Sequence, residues 1–180
     1  MSFVIQLAMN NMPDIAIFYQ SYNDISFGPM KDRYMGASPD EMPIAAIPLP
    51  DDIDTLYDYY TYNRQALYAL ADIQDVTIVV IWQPSWVYKP LTDYEHRRII
   101  EPPQLHSDRF REYQLQLDPQ LEAYVQDNHI EHFLNYADFF SEDTDMIFFD
   151  NVHITEDGNR QVGTAIAEYL VDNILNTTEE

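Results

Sequence analysis

The sequence predicts an α/β fold built on a parallel sheet, on three observations. VTIVVIW, residues 76 to 82, is apolar throughout, as a strand is when helices cover both of its faces. DIAIFYQ, residues 14 to 20, is a second β-branched and aromatic run, and a long stretch at helical spacing separates the two. A further helical pattern closes the chain, so strands and helices alternate, and that order joins parallel strands by crossover helices. At 180 residues the chain suits one domain, residues 1 to 180, with a core of its own.

The elements follow in order. SFVIQLAMNN, residues 2 to 11, reads as the last turns of a helix, and the strand at 14 to 20 follows Pro13. Residues 26 to 50 hold five of the eleven prolines and two of the four glycines, the composition of a long irregular excursion. From Asp51 to about Asp72, Ile53, Leu56, Tyr57, Tyr60, Leu67, Leu70 and Ala71 recur at helical spacing, with acids in the first turn where the helix dipole favours them. Gln83-Pro84 ends the strand at 76 to 82, and a proline-bearing loop with a short helix at about 92 to 99 follows. A helix spans about 107 to 126, broken or kinked near Pro119. HIEHFLN, 129 to 135, supplies a third strand, and a helix from 155 to 176 ends the order. Thr155 is its N-cap, Glu156 and Asp157 sit in its first turn, and Val162, Ile166, Tyr169, Leu170 and Ile174 form its apolar stripe. Three strands make a thin sheet for this length, so strands are expected to be missing at the front.

Charge narrows the function classes. Thirty-one Asp and Glu face nine Lys and Arg, a net charge of −22. Such a surface repels phosphate backbones and anionic lipid, which argues against nucleic acid and membrane surfaces as partners. The acids are spread along the chain, as on a solvated acidic surface or one adapted to high salt, where a Debye length of ~3 Å at 1 M screens self-repulsion. No apolar run approaches the ~18 residues of a membrane span, and MSFVIQLAM lacks the basic stretch and cleavage site of a signal peptide. Without cysteine there is no disulfide, thiolate metal site or thiol nucleophile. Nothing in the sequence points to a compartment.

Two short segments carry candidate chemistry. In FFDNVHITEDGN, residues 148 to 159, Asp150 and His153 stand three apart at a strand-to-helix junction. A carboxylate that fixes an imidazole tautomer, leaving the other ring nitrogen to take a proton from a hydroxyl, is the relay of a hydrolytic triad. On spacing alone the same residues equally make a turn-capping Asp and a loop His. Asn23-Asp24 follows the first strand, where a carboxamide can donate to a developing oxyanion or simply form a turn. His129-x-x-His132 points its two rings to opposite faces of a strand and so is no metal pair. DTDMIFFD, from Asp143, lacks the glycine and closing Glu of a calcium loop.

Taken together, PDIAIFYQSYNDI (13 to 25), VVIWQP (79 to 84), PLTDYE (90 to 95) and FFDNVHITEDGNRQVGTAIAEYL (148 to 170) resemble, in that order, the SGNH hydrolases, or GDSL esterase/lipase family. The family's Asp-x-x-His block with a following Gly is matched by Asp150, His153 and Gly158. Its Gly-x-Asn-Asp block is matched by Tyr22, Asn23 and Asp24, with Ser21 where the family has Gly. The resemblance implies a three-layer α/β/α fold of flavodoxin-like type and a serine ester hydrolase acting by acyl transfer. His153 would be the general base, Asp150 its orienting acid and Asn23 an oxyanion donor. No metal or organic cofactor is implied, and the substrate would be a small ester, an acetylated carbohydrate or a lipid. The family's Gly-Asp-Ser block and the glycine of its second block are not found. By this resemblance the chain begins about two strands late, holding the third to fifth strands of a five-stranded sheet. Ser21 is the serine nearest the implied rim. The other reading is a non-catalytic SGNH-like remnant acting as a binding module, with an open sheet edge that invites self-association.

Overall fold

In the computed structural model, residues 13–20, 53–102 and 107–176 are described. Strand β1, Ile15–Gln20, leads to helix α1, Ile53–Gln74, and then to strand β2, Thr77–Trp82. A short 3₁₀ turn at Trp86–Tyr88 precedes helix α2, Asp93–Ile99, and helix α3 runs Ser107–Asp127. Strand β3 is Phe133–Asn135, and helix α4, Glu156–Leu170, passes into a π-helical turn at Val171–Leu175. The sheet is parallel in the order β1-β2-β3, with β1 registered on β2 from Ile15 opposite Thr77 to Gln20 opposite Trp82. Val80 to Trp82 pair with Phe133 to Asn135. The chain is therefore α/β, with three parallel strands among its described residues, as the sequence predicts.

Side-chain alternation decides what each face meets. Ile78 and Val80 point with Ala16 and Phe18 toward Leu67 and Ala71 of α1. Val79 and Ile81 point the other way, with Leu134, toward Ile166, Tyr169, Leu170 and Ile174. Helices thus cover both faces of β2, and its residues from Ile78 to Trp82 are all buried, which is why VTIVVIW reads as a continuous apolar run. A larger cluster gathers around Trp82, at the carboxyl end of β2. It joins Leu56, Phe110, Leu117, Ala137, Ile147 and Phe148.

Two expectations need correction. The strand read over 129 to 135 is only Phe133–Asn135. The preceding residues instead close α3. The Ile130 N–H bonds to Val125 O (3.0 Å) and the His129 N–H to Gln126 O (3.2 Å), with His129 at φ 51°. That is a Schellman cap with histidine in the left-handed position usually given to glycine. His132, at φ 37°, is also off any strand, so its separation from His129 follows from a turn and not from a pleat. Helix α1 ends in the same way at Asp75, φ 54°, with the Val76 N–H on Ala71 O at 3.0 Å. The second correction is at Pro119, where α3 continues without a break. Proline removes the donor that would bond the Leu115 carbonyl. Pro119 and Leu115 are both exposed, so water can satisfy that carbonyl. The helix read over 2 to 11 and the excursion over 26 to 50 lie outside the described residues.

Candidate active site

Helix α4 fixes where the Asp150–His153 turn stands. Near its carboxyl end, Tyr169 Oη lies 3.0 Å from His132 Nδ1, just before the amino end of β3. Thirteen residue steps of helix lead from Glu156 to Tyr169, a rise of about 20 Å, so the start of α4 is carried to the opposite, carboxyl rim of the sheet. Open α/β sheets build their sites on that rim. The helix begins as the sequence predicts: Thr155 Oγ1 accepts the Gly158 N–H at 3.1 Å. Gly158 is buried there, and a Cβ would come within 3.3 Å of Ile147 Cγ2 and 3.4 Å of Thr155 Oγ1.

The turn before α4 is closed on itself. The Thr155 N–H bonds to Ile147 O (2.7 Å) and the Phe149 N–H to His153 O (2.8 Å). Inside this loop Asp150 Oδ1 accepts the N–H groups of Val152 and His153, both at 2.8 Å. Asp150 Oδ2 lies 2.9 Å from His153 Nδ1. One carboxylate therefore holds both the backbone of the turn and the imidazole. Partial burial pushes the Asp150 carboxyl up, but hydrogen bonds from the His153 N–H and ring and the Val152 N–H outweigh it, and the group ends below the ordinary carboxylate range. With Nδ1 turned to Asp150, Nε2 faces outward on a side chain that is 75% exposed. The arrangement suits an imidazole that takes up a proton at Nε2 while its tautomer is fixed from behind.

Of the three residues read from the sequence, Asp150 and His153 are brought together, and Asn23 lies outside the described residues, as does Ser21. Among the described residues no hydroxyl is hydrogen-bonded to His153. Ser85 and Ser107 are buried and serve local structure, with Ser85 Oγ accepting the Val87 N–H and Ser107 donating to Ile99 O. A cavity of about 530 Å³, lined by Tyr68, Asp72, Tyr124, His129 and His132, opens at the other end of the sheet, beside the start of β2.

Two buried carboxylates lie beneath the rim. Asp118, on α3, accepts from Trp82 Nε1 (2.8 Å), Tyr88 Oη (2.6 Å) and Gln114 Nε2 (2.7 Å). Burial pushes it above the usual range in spite of these bonds. Glu95, on α2, pairs with Lys89 at 3.0 Å, and both side chains are 0% exposed. Burial pushes Glu95 up as well, yet hydrogen bonds from the Phe148, Thr92 and Ile147 N–H groups and the Thr92 hydroxyl bring it below the ordinary value. Reading the sequence did not single out Glu95. The available signal was Thr92-x-x-Glu95, a capping-box pattern, which announces one partner of the carboxylate and not the others.

In structure comparison, the chain superposes on a candidate acylhydrolase from Bacteroides fragilis with a TM-score of 0.54 at 15% identity, covering 94% of this chain and 68% of that one. A match to an acetyl xylan esterase has a TM-score of 0.46 at 15% identity, over 93% of this chain and 75% of the other. The first likeness is one of fold. No protein-family model and no curated protein matches the sequence.

Proposed function

We propose that this chain carries the acid–base half of a serine ester hydrolase site of SGNH type. The observation that supports the reading is the Asp150–His153 pair, formed at 2.9 Å with Nε2 free on the rim. The fold it shares with a candidate acylhydrolase agrees with an ester as substrate. In the mechanism, His153 Nε2 takes the proton of a serine hydroxyl as its oxygen attacks the acyl carbonyl. Asn23 donates to the oxyanion of the tetrahedral intermediate. Collapse releases the alcohol, which receives the proton from the imidazolium. Water, deprotonated by the same nitrogen, then attacks the acyl-enzyme, and as the carboxylic acid leaves, the imidazolium returns the proton to the serine oxygen. Asp150 stabilises the imidazolium in both steps. The chemistry fits small esters, acetylated carbohydrates and lipids.

The test is hydrolysis of p-nitrophenyl acetate, with mass spectrometry of a fluorophosphonate adduct. Turnover is expected to disappear in His153→Ala and to fall by up to about 10⁴-fold in Asp150→Asn, which loses the tautomer lock. The adduct names the nucleophile, and one that vanishes in Ser21→Ala assigns it to Ser21. Absence of both turnover and adduct would overturn the enzymatic reading for this chain and leave a non-catalytic binding module.

A further inference from the structure

Glu95 is placed to control more than its own helix. Its two oxygens are fully used, and in different directions. Oε2 accepts the Thr92 N–H (2.8 Å), the Thr92 hydroxyl (2.8 Å) and Lys89 Nζ (3.0 Å), all from the loop that leads into α2. Oε1 accepts the backbone N–H groups of Ile147 (2.9 Å) and Phe148 (2.8 Å), 52 and 53 positions along the chain. Lys89 donates in addition to Pro90 O at 3.0 Å, so the ammonium that balances the carboxylate is itself held.

The two N–H groups on Oε1 belong to the residues immediately before the Phe149–His153 turn. Ile147 O is also the acceptor that closes that turn through Thr155. Asp150 and His153 set their mutual geometry locally, through bonds inside the turn. Where the turn stands relative to the rest of the rim is set by what holds Ile147 and Phe148. That holder is one carboxylate, rigidly placed by a helix cap and a buried lysine. A buried ion pair is weak evidence for stability, because apolar residues of similar volume often serve as well. Its particular consequence here is geometric, since an apolar side chain cannot accept two N–H groups.

We propose that Glu95 is a positioning residue for the Asp150–His153 turn, anchoring the segment that leads into it, Ile147 and Phe148, to the α2 cap so that His153 is presented at a fixed place on the rim. The proposal rests on the ester-hydrolase reading for its catalytic consequence, and on the hydrogen-bond pattern alone for the anchoring.

Two variants that differ at one side chain test it. Lys89→Met removes the buried ammonium in both. In that background, Glu95→Gln keeps a carbonyl oxygen for Ile147 and Phe148, and Glu95→Leu keeps none. Both are compared with the wild-type chain at a temperature where circular dichroism reports them folded. Amide hydrogen exchange at Phe149 and Thr155, whose bonds tie the turn to the anchored segment, is expected to stay within about threefold of wild type in the Gln variant and to rise at least about tenfold in the Leu variant. Ester turnover is expected to follow: kcat falls by up to about 100-fold in the Leu variant, as for a catalytic group displaced by an ångström, while KM is unchanged. A folded Leu variant with wild-type exchange at Phe149 and Thr155 would overturn the proposal. Absence of turnover in the wild-type chain would count against ester hydrolysis only, because the exchange comparison reads the anchoring without it.

Discussion

Asp150 concentrates three acceptor contacts in one side chain, and its ionisation state follows. Its folded-state carboxyl titrates below the ordinary 3.8, so it is ionised more readily in the folded chain than in the unfolded one. The sign of the linkage is then fixed: this group contributes stability at pH values above about 3.8, and the contribution is lost as pH falls through the folded-state value. Urea midpoints of the wild-type chain and Asp150→Asn are expected to differ at pH 6 and to approach each other as pH falls below 3.8. A gap that does not shrink as pH is lowered beyond 3.8 would show that the carboxylate charge is not what matters. The pair was legible in the sequence because its contacts are local, with every partner of Asp150 within three positions. Glu95 was not legible for the converse reason. Its cap partner Thr92 is three residues away, but Ile147 is 52 away, and no local pattern carries a contact of that separation.

At the scale of elements, the two glycines of α4 behave oppositely although they occupy the same helix. Gly163 is exposed and a Cβ there meets nothing within 4 Å. Gly158 lies against Ile147, which is 2% exposed and has little room to give. Replacing glycine by alanine in a helix gains about 1 kcal/mol from backbone entropy, and a forced contact in a packed region costs about 1 to 3 kcal/mol. Gly163→Ala is therefore expected to stabilise by about 0.5–1 kcal/mol and Gly158→Ala to destabilise by about 1 kcal/mol, read from urea denaturation. Two stabilising substitutions would show that Ile147 can shift. Element type was readable wherever periodicity was strong, as in α1, β2 and α4. It failed at 129 to 132, because the sequence has no glycine there to announce a helix end. With histidine in the left-handed cap position, HIEHFLN looks like one apolar-alternating strand, though only its last residues pair. The short α2 falls where the sequence places a helix at about 92 to 99, and the reciprocal Thr92–Glu95 cap that starts it was seen only in the structure.

For the whole molecule, the relevant features are the edge of the sheet and the charge around it. The Thr77 N–H bonds to Asp14 O and the Gln83 N–H to Gln20 O. Alternation along a parallel ladder then turns the N–H and C=O groups of Ile15, Ile17 and Tyr19 away from β2. Among the described residues no strand pairs with that outer edge. Strand β1 has no charge, proline or bulge to blunt it, and Ile17 and Tyr19 are each 47% exposed, which is the composition of an edge open to another strand. Opposing association is the net charge of −22, whose repulsion reaches ~10 Å at 0.1 M salt and ~3 Å at 1 M. Self-association through β1 is therefore expected to appear in sedimentation as salt is raised. Ile17→Lys separates the two influences, since it makes the chain less acidic while placing a charge on the edge. If repulsion alone governed association, the lysine variant would associate more than the wild-type chain. If the edge is the contact, it stays monomeric at 1 M salt while the wild-type chain does not, and that is the expected outcome. A wild-type chain that remains monomeric at 1 M salt over the accessible concentrations would remove β1 as an interface.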